Sequence, residues 1–267
     1  MLHIFTLPLG FLYKYSTEST KRNKWYFKLP FSYIDNLLRL WDFVSAQRPD
    51  FIVANSKEVQ KRVKKFYKRE STVIYPPVQT DIAQNYERDN VAKPYYVAIG
   101  RLIRYKNFDL LIQAFNLVGL PLVIIGTGEY ETKLKQMAGP NVTFKGVLSE
   151  EEKGQILHNA LGLINPISDE DFGIVPVEAM AHGIPVLAHK SGGHLETIIE
   201  DVNGMFFDNT NIDDFVTKVK SFDSAIRNGH FDKEKIRASV QRFSKQRFQT
   251  EFKQFVEDKW ENFCSQK

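Results

Sequence analysis

From residue 95 onward, short apolar runs alternate with segments of helical spacing. Y-Y-V-A-I-G (95–100), P-L-V-I-I-G (121–126), N-V-T-F-K-G (141–146), L-G-L-I-N-P (161–166), P-V-L-A (185–188) and G-M-F-F (204–207) read as strands. Between the first two, N-F-D-L-L-I-Q-A-F-N-L-V (107–118) puts Phe108, Leu111, Ile112 and Phe115 on one helical face. Further helices are expected over 129–137, 149–160, 174–182 and 193–200, the second opened by a capping box of Ser149 and Glu152. Near-continuous apolar strands between helices predict a parallel sheet covered on both faces. Ligands of such sheets sit beyond the carboxyl ends of the strands.

The first third of the chain is sparser. D-F-I-V-A-N-S (50–56) reads as strand and turn, 57–69 as a basic amphipathic helix, and T-V-I-Y-P-P-V (72–78) as a strand stopped by two prolines. Two strands and a helix cannot close an α/β domain, so residues 1–78 are expected to be the remnant of one. Residues 79–93 read as a linker, 94–242 as a complete α/β domain, and 243–267 as a C-terminal helix with Phe248, Phe252 and Phe255 on one stripe.

Composition narrows the class only a little. The chain has 267 residues, 43% hydrophobic and 25% charged, as in ordinary globular proteins. Its single cysteine, Cys264, excludes an internal disulfide framework or cysteine metal site and points to a reducing, cytoplasmic compartment. No apolar run approaches the roughly 20 residues of a membrane span, and the N-terminus lacks the pattern of a signal peptide. The net charge of +4 favours anionic partners without choosing among them. Helix 57–69, with Lys57, Lys61, Arg62, Lys64, Lys65, Lys68 and Arg69, describes either a contact with an anionic membrane surface or a solvated face. No interleaved aromatic platform suggests nucleic acid. His158, His182, His189, His194 and His230 show no metal-ligand spacing and read as structural or surface residues.

Three turns carry candidate chemistry. Gly100 and Arg101 end a strand and Lys106 opens the next helix, so two cations can converge on one anion; a solvated basic turn has the same pattern. G-T-G-E (126–129) follows a strand, but Glu131 occupies the third glycine position of a dinucleotide fingerprint. Gly126 and Gly128 are then expected to make a tight turn that another group approaches closely. The strongest stretch is S-D-E-D-F-G-I-V-P-V-E-A-M (168–180). Pro176 is tolerated only in the first turn of a helix, so the helix should start near Gly173 or Ile174 and offer its free amides as an anion site. Glu170 precedes that site and otherwise reads as a solvated loop acid. Glu178 lies among Val175, Val177, Ala179 and Met180 and needs hydrogen-bond donors, which the hydroxyls of a ribose would supply. S-G-G-H-L-E (191–196) is a second glycine turn, equally a phosphate contact or a plain turn.

Together these elements resemble the retaining glycosyltransferases of family 4, which have the GT-B fold. The match runs from about Leu37 to Trp260 through A-N-S-K-E-V-Q-K-R-V (54–63), V-I-Y-P-P-V (73–78), G-R-L-I-R-Y-K-N (100–107), I-G-T-G (125–128), F-K-G (144–146), E-D-F-G-I-V-P-V-E-A-M-A-H-G-I-P-V (170–186) and G-G (192–193). The resemblance implies a GT-B type α/β fold: one complete Rossmann-like, donor-binding domain plus the remnant of an N-terminal one. It implies transfer of a sugar from a UDP- or GDP-sugar to a glycan or lipid-linked acceptor, with retention and without a metal or other cofactor. Arg101 and Lys106 would hold the diphosphate and Glu178 the ribose. Glu170, with the amides of Phe172, Gly173 and Ile174, would hold the sugar, and the backbone near Val147 the base. Gly100, Gly126 and Gly128 would line the donor cleft. Peripheral attachment at the inner face of a membrane, through helix 57–69, fits such acceptors.

Family members carry a whole N-terminal domain, of which roughly 100 residues are expected to be absent here. The segment F-T-L-P-L-G-F-L-Y (5–13) is expected to be the family's H-T-P-P-R-F-L-Y read one base out of frame: codons TTC-ACA-CTC-CCC-CTC-GGT for Phe5–Gly10 would give H-T-P-P-R in the shifted frame, and Met1 would then be an internal start. Two other readings remain: a truncated chain that binds nucleotide sugar without turnover, and a Rossmann dehydrogenase, weakened by Glu131.

Overall fold

The structure is a computed structural model that describes residues 3–5, 25–81, 86, 94–208 and 210–265, with backbone alone for 3–5 and 25–33. The chain divides into two units, Met1–Tyr75 and Pro76–Lys267. The division precedes the expected end of the first domain at residue 78. Val78 belongs with the second unit, where its amide donates to the Phe243 carbonyl at 2.9 Å. Most of the expected linker, 79–93, lies outside the described residues.

In the first unit, parallel strands β1 (His3–Phe5), β2 (Ile52–Ala54) and β3 (Thr72–Val73) lie in that order. Helix α1 (Trp25–Ala46) precedes β2, and α2 (Lys57–Arg62) follows it, capped by the Ser56 hydroxyl, which accepts from the Val59 amide at 3.0 Å. Ala46, Ile52, Ala54, Val59, Val63 and Tyr67 pack into a small core, and the Tyr67 hydroxyl donates to buried Asp42 at 2.8 Å.

The expected helix over 57–69 is shorter and broken. After Arg62 the chain widens into a π-type turn, Val63–Tyr67, and Lys68 reverses it at φ 55°. Two of its cations work inside the fold. Arg62 is buried against Glu58, and Arg69 donates to the carbonyls of Ala46, Pro49 and Asp50. Helix α1 was not expected, although Ile34, Leu37, Trp41 and Val44 recur at helical spacing; that stripe is exposed.

In the second unit, six strands among the described residues form one parallel sheet. They are β4 (Tyr96–Ile99), β5 (Leu122–Ile125), β6 (Val142–Gly146), β7 (Gly162–Asn165), β8 (Val186–His189) and β9 (Gly204–Phe207). Their order is β6-β5-β4-β7-β8-β9, so the winding reverses between β4 and β7. In open α/β sheets that reversal opens a crevice at the carboxyl ends of the two strands.

The connecting helices follow the apolar spacing: α3 (Phe108–Val118), α4 (Glu131–Met137), α5 (Glu150–Asn159), α6 (Ile174–Ala181) and the single turn α7 (His194–Thr197). The capping box forms: Ser149 Oγ accepts from the Glu152 amide at 3.2 Å, and Glu152 accepts from the Ser149 amide at 2.8 Å. Beyond β9 come α8 (Ile212–Arg227), α9 (Lys233–Val240) and α10 (Lys245–Ser265). Helix α8 buries Phe215, Val219 and Phe222 against α3 and the sheet, in a core that also holds Tyr96, Phe108, Leu111, Phe115 and Phe207. The Tyr96 hydroxyl donates to Asp223 of α8 at 2.7 Å.

On α10, Phe255 is buried, and Phe248 and Phe252 are half-buried and stacked at 5.5 Å. The exposed large apolar residues of that helix are Val256, Trp260 and Phe263, none of them in the expected stripe. No helix among the described residues is long and apolar enough to cross a membrane.

Phe215 is fully buried, with its ring centroid 4.5 Å from that of Phe207. Phe215→Ala is expected to destabilise the second unit by about 3–5 kcal/mol, because it removes apolar contact and leaves a cavity between α8 and β9. Urea unfolding followed by circular dichroism measures this; a loss below about 1 kcal/mol would contradict this packing.

Candidate functional site

Backbone packing assembles the site before any side chain is considered. At the end of β4, Gly100 donates to Ile125 at 3.0 Å, and Leu102 donates to Thr127 at 2.9 Å. A Cβ on Gly126, whose φ is +133°, would lie 2.0 Å from the Gly100 carbonyl oxygen. One on Gly128 would lie 2.3 Å from the Leu102 oxygen. The group that approaches the G-T-G turn so closely is therefore the chain's own G-R-L turn. Gly126 also donates to Gly146 at 2.8 Å, which brings the loop after β6 alongside. Val147 in that loop and Arg101 after β4 are both exposed.

The same device joins β7 to β8. A Cβ on Gly192 would sit 2.3 Å from the Glu170 carbonyl oxygen, and one on Gly193 would sit 2.4 Å from the Phe172 Cα. Gly193 donates to that Glu170 oxygen at 2.7 Å, and Ser191 Oγ accepts from the Asp169 amide at 2.8 Å. The second glycine turn thus works as the seat of the E-D-F-G loop. Gly173, at φ 88°, ends the loop and caps α6, with Pro176 inside the first turn as the sequence requires. The first amides of a helix have no partner within it, and those of α6 lie at the crevice.

Buried His194 supports this loop from beneath. Its Cδ2 lies 3.2 Å from where a Gly173 Cβ would be. Nδ1–H donates to the His189 carbonyl at 3.0 Å, which leaves Nε2 to accept from the Asn165 amide group at 3.2 Å. Burial holds its pKa below the ordinary histidine value, so the ring is neutral. Sequence spacing did not single out this residue or Asn165; a polar pair on an apolar strand end was the available signal.

Each of the two signature acids has its own lysine. Lys106 sits in a single 3-10 turn, Arg104–Lys106, closed by Asn107 at φ 55°. Asn107 Nδ2 donates to the Pro166 carbonyl at 3.1 Å, which ties this turn to the end of β7. Lys106 Nζ then lies 3.1 Å from Glu170 Oε2, so Glu170 is a paired acid and not a solvated one.

Glu178 lies one turn into α6. Lys153 of α5 approaches its Oε2 at 3.2 Å and Glu150 at 2.7 Å. The donor that Glu178 needs is thus already supplied in part by a residue that sequence reading gave no role. Burial raises the Glu178 pKa above the usual carboxylate range; Lys153 opposes this and Glu150 reinforces it. Burial works against the Lys153 ammonium, but Glu150 and Glu178 more than offset it, so its pKa is raised.

Beside this pair, a cavity of about 230 Å³ runs between α5 and α6, lined by Tyr86, Lys153, Leu157, Glu178 and His182. Burial, with smaller contributions from His158, Arg237 and Lys153, pushes the His182 pKa down to about 4. Glu131 is the first residue of α4 and pairs with Lys135 at 2.7 Å.

The sequence profile of the family described as Glycosyl transferases group 1 matches residues 79–225. The chain is similar to the O-antigen chain mannosyltransferase of Salmonella typhimurium, with 30% identity over 74% of this chain and 58% of that protein. Among solved structures it is similar to Anabaena HepE in complex with UDP and glucose, at TM-score 0.74 and 20% identity, covering 83% of this chain and 67% of that one. Sucrose-phosphate synthase of Thermosynechococcus elongatus is similar at TM-score 0.80 and 18% identity, covering 98% of this chain and 68% of that one. The fold is thus the α/β fold with parallel sheets seen in GT-B glycosyltransferases. The chain spans about half the length, or less, of the curated relatives it matches.

Two outcomes follow from this geometry. Gly193→Ala forces a methyl group into the Phe172 backbone and is expected to cost about 1–3 kcal/mol, read as a lowered melting temperature. A stability equal to the parent's would contradict the close approach. Second, the unfolded chain protonates histidine near 6.5, whereas folded His182 resists until about 4. The unfolded state therefore binds more protons across that window, and stability falls as pH falls through it. His182→Asn is expected to flatten this part of the stability-versus-pH curve, by no more than about 3 kcal/mol; an unchanged curve would contradict the buried neutral ring.

Proposed function

Because the chain belongs to the glycosyl transferases group 1 family, we propose that its second unit holds the donor half of a sugar-transfer site. The donor is a nucleoside diphosphate sugar and the acceptor a glycan or lipid-linked sugar. The observation that carries the reading is the junction of Lys106, Glu170 and the start of α6 where the sheet winding reverses. A cation, a carboxylate and helix amides within one crevice suit a ligand with an anionic diphosphate beside a hydroxyl-rich sugar.

In this reading Arg101 and Lys106 take the diphosphate and stabilise it as the bond from the sugar C1 to the phosphate oxygen breaks. Glu170, with the amides of Phe172, Gly173 and Ile174, orients the sugar. Glu178 accepts from the ribose, and the backbone at Val147 meets the base. Gly100, Gly126 and Gly128 let the turns after β4 and β5 close into one wall of the cleft. These basic groups and the helix dipole would supply the charge stabilisation that a divalent cation supplies elsewhere, and the family resemblance favours retention of configuration.

Relatives named as GDP-mannose-dependent and the structure of HepE with UDP support a UDP- or GDP-sugar. Exposed Lys57, Lys61, Lys64, Lys65 and Lys68 would present the chain to an anionic membrane carrying the acceptor. The second reading is donor binding without turnover.

Calorimetry with UDP and GDP tests the first step. One nucleotide is expected to bind, with affinity reduced about tenfold or more in Glu178→Ala and Arg101→Ala. Failure of both nucleotides to bind overturns the reading. Sugar release or transfer from the matching nucleotide sugar, followed with and without EDTA, then separates turnover from binding alone.

A further inference from the structure

We propose that Lys153 is a positioning residue for the nucleoside end of the donor: its ammonium fixes the Glu178 carboxylate, ionised and in one orientation, between α5 and α6. It engages Oε2 and leaves Oε1 to accept from the ribose. The inference rests on the donor reading above and adds to it a residue on a different helix.

Three observations lead there. First, the geometry is that of a bridge: Lys153 Nζ lies 3.2 Å from Glu178 and 2.7 Å from Glu150, one turn earlier on α5. Second, the two contacts are not equal. The Glu150 side chain is 87% exposed, whereas Lys153 and Glu178 are 17% and 24% exposed. Water screens the first contact and much less the second, so the link across the helices is the one that holds the ammonium.

Third, among the described residues that line the cavity no group other than Lys153 can neutralise Glu178. The groups facing it are Lys153, Glu150 and Glu151 from α5, Tyr86 from the segment before β4, and His182 one turn along α6. His182 stays neutral down to about 4, and Glu150 repels the carboxylate. Among the described residues that line the cavity, Lys153 is the cation.

The chemistry requires this. Vicinal ribose hydroxyls both donate, and a carboxylate accepts from both, whereas a protonated acid must spend one oxygen as a donor. Burial alone would push Glu178 toward the protonated form, and Lys153 opposes that push. The same contact limits the rotation of a side chain that projects into a cavity of about 230 Å³.

The test uses the full chain and compares the parent with Lys153→Met, Lys153→Gln and Lys153→Arg. The Glu178 carboxyl is followed by carbon-13 NMR as pH is varied, and UDP and GDP affinities are measured over about pH 5.5 to 8. In the methionine variant the Glu178 pKa is expected to rise by about one unit or more. Its nucleotide affinity should fall about tenfold near pH 6, recover at higher pH, and be largely restored in the arginine variant. The parent's affinity should vary less with pH over the same range than that of the methionine variant.

A merely structural lysine would lower the melting temperature without moving the pH profile. The glutamine variant reports the same shift if the methionine variant does not fold. Nucleotide binding by the parent, with unchanged affinity and pH profile in both neutral variants, overturns the role of Lys153 alone. A parent that binds neither nucleotide overturns the donor reading and this inference with it.

Discussion

At the carboxyl ends of the strands, neighbouring turns lie too close for any side chain to fit between them. Gly192 and Gly193 rest on the backbone of residues 169–172, and Gly126 and Gly128 rest on that of residues 100–102. This contact is rigid because both partners are main chain, which cannot swing aside as a side chain can. It sets the height of the E-D-F-G loop, and thereby where Glu170 stands and where α6 begins. The reach of Lys106 to Glu170 then follows, since Asn107 fastens the lysine's turn to the same strand end.

On that frame the two signature acids have been handled alike. Each is partly withdrawn from water, and each meets a lysine from a different connection, Lys106 after β4 and Lys153 on α5. Such pairs bring little net stability, because the loss of hydration offsets most of the attraction. Their value lies in position: each carboxylate is held with an oxygen to spare, facing a crevice that helix amides make favourable to anions. At Glu178 burial favours the protonated form, and Lys153 opposes it.

Helix packing within the second unit holds this arrangement still. Helix α8 closes the core over α3, with Asp223 of α8 linked to Tyr96 at the start of β4. The unit before residue 75 has a separate small core, and its arginines serve that core: Arg69 gathers the carbonyls at the end of α1, and Arg62 answers Glu58. A run of cations that looks uniform along the sequence is therefore divided by the fold into structural arginines and exposed lysines.

Much of this was legible in the residues themselves. Alternation of apolar runs with helical spacing defined the parallel sheet from β4 to β9, since strands covered on both faces tolerate little polarity. Pro176 and Gly173 marked the start of α6 to within a residue, because proline is restricted to a first turn and glycine alone takes φ 88° without strain. Ser149 and Glu152 marked the start of α5 for an equally local reason, two side chains answering two amides.

What local pattern could not supply was who meets whom. The pairing of Lys106 with Glu170 spans 64 residues and that of Lys153 with Glu178 spans 25, so only the order of the strands and the faces of the helices decide them. Likewise the glycines of G-T-G and G-G were visible as turns, but the backbone that each turn admits is brought there by the sheet. Burial decided the rest: a lysine, a histidine and an asparagine that are ordinary in sequence become site residues because folding removes water from around them and leaves each with few partners.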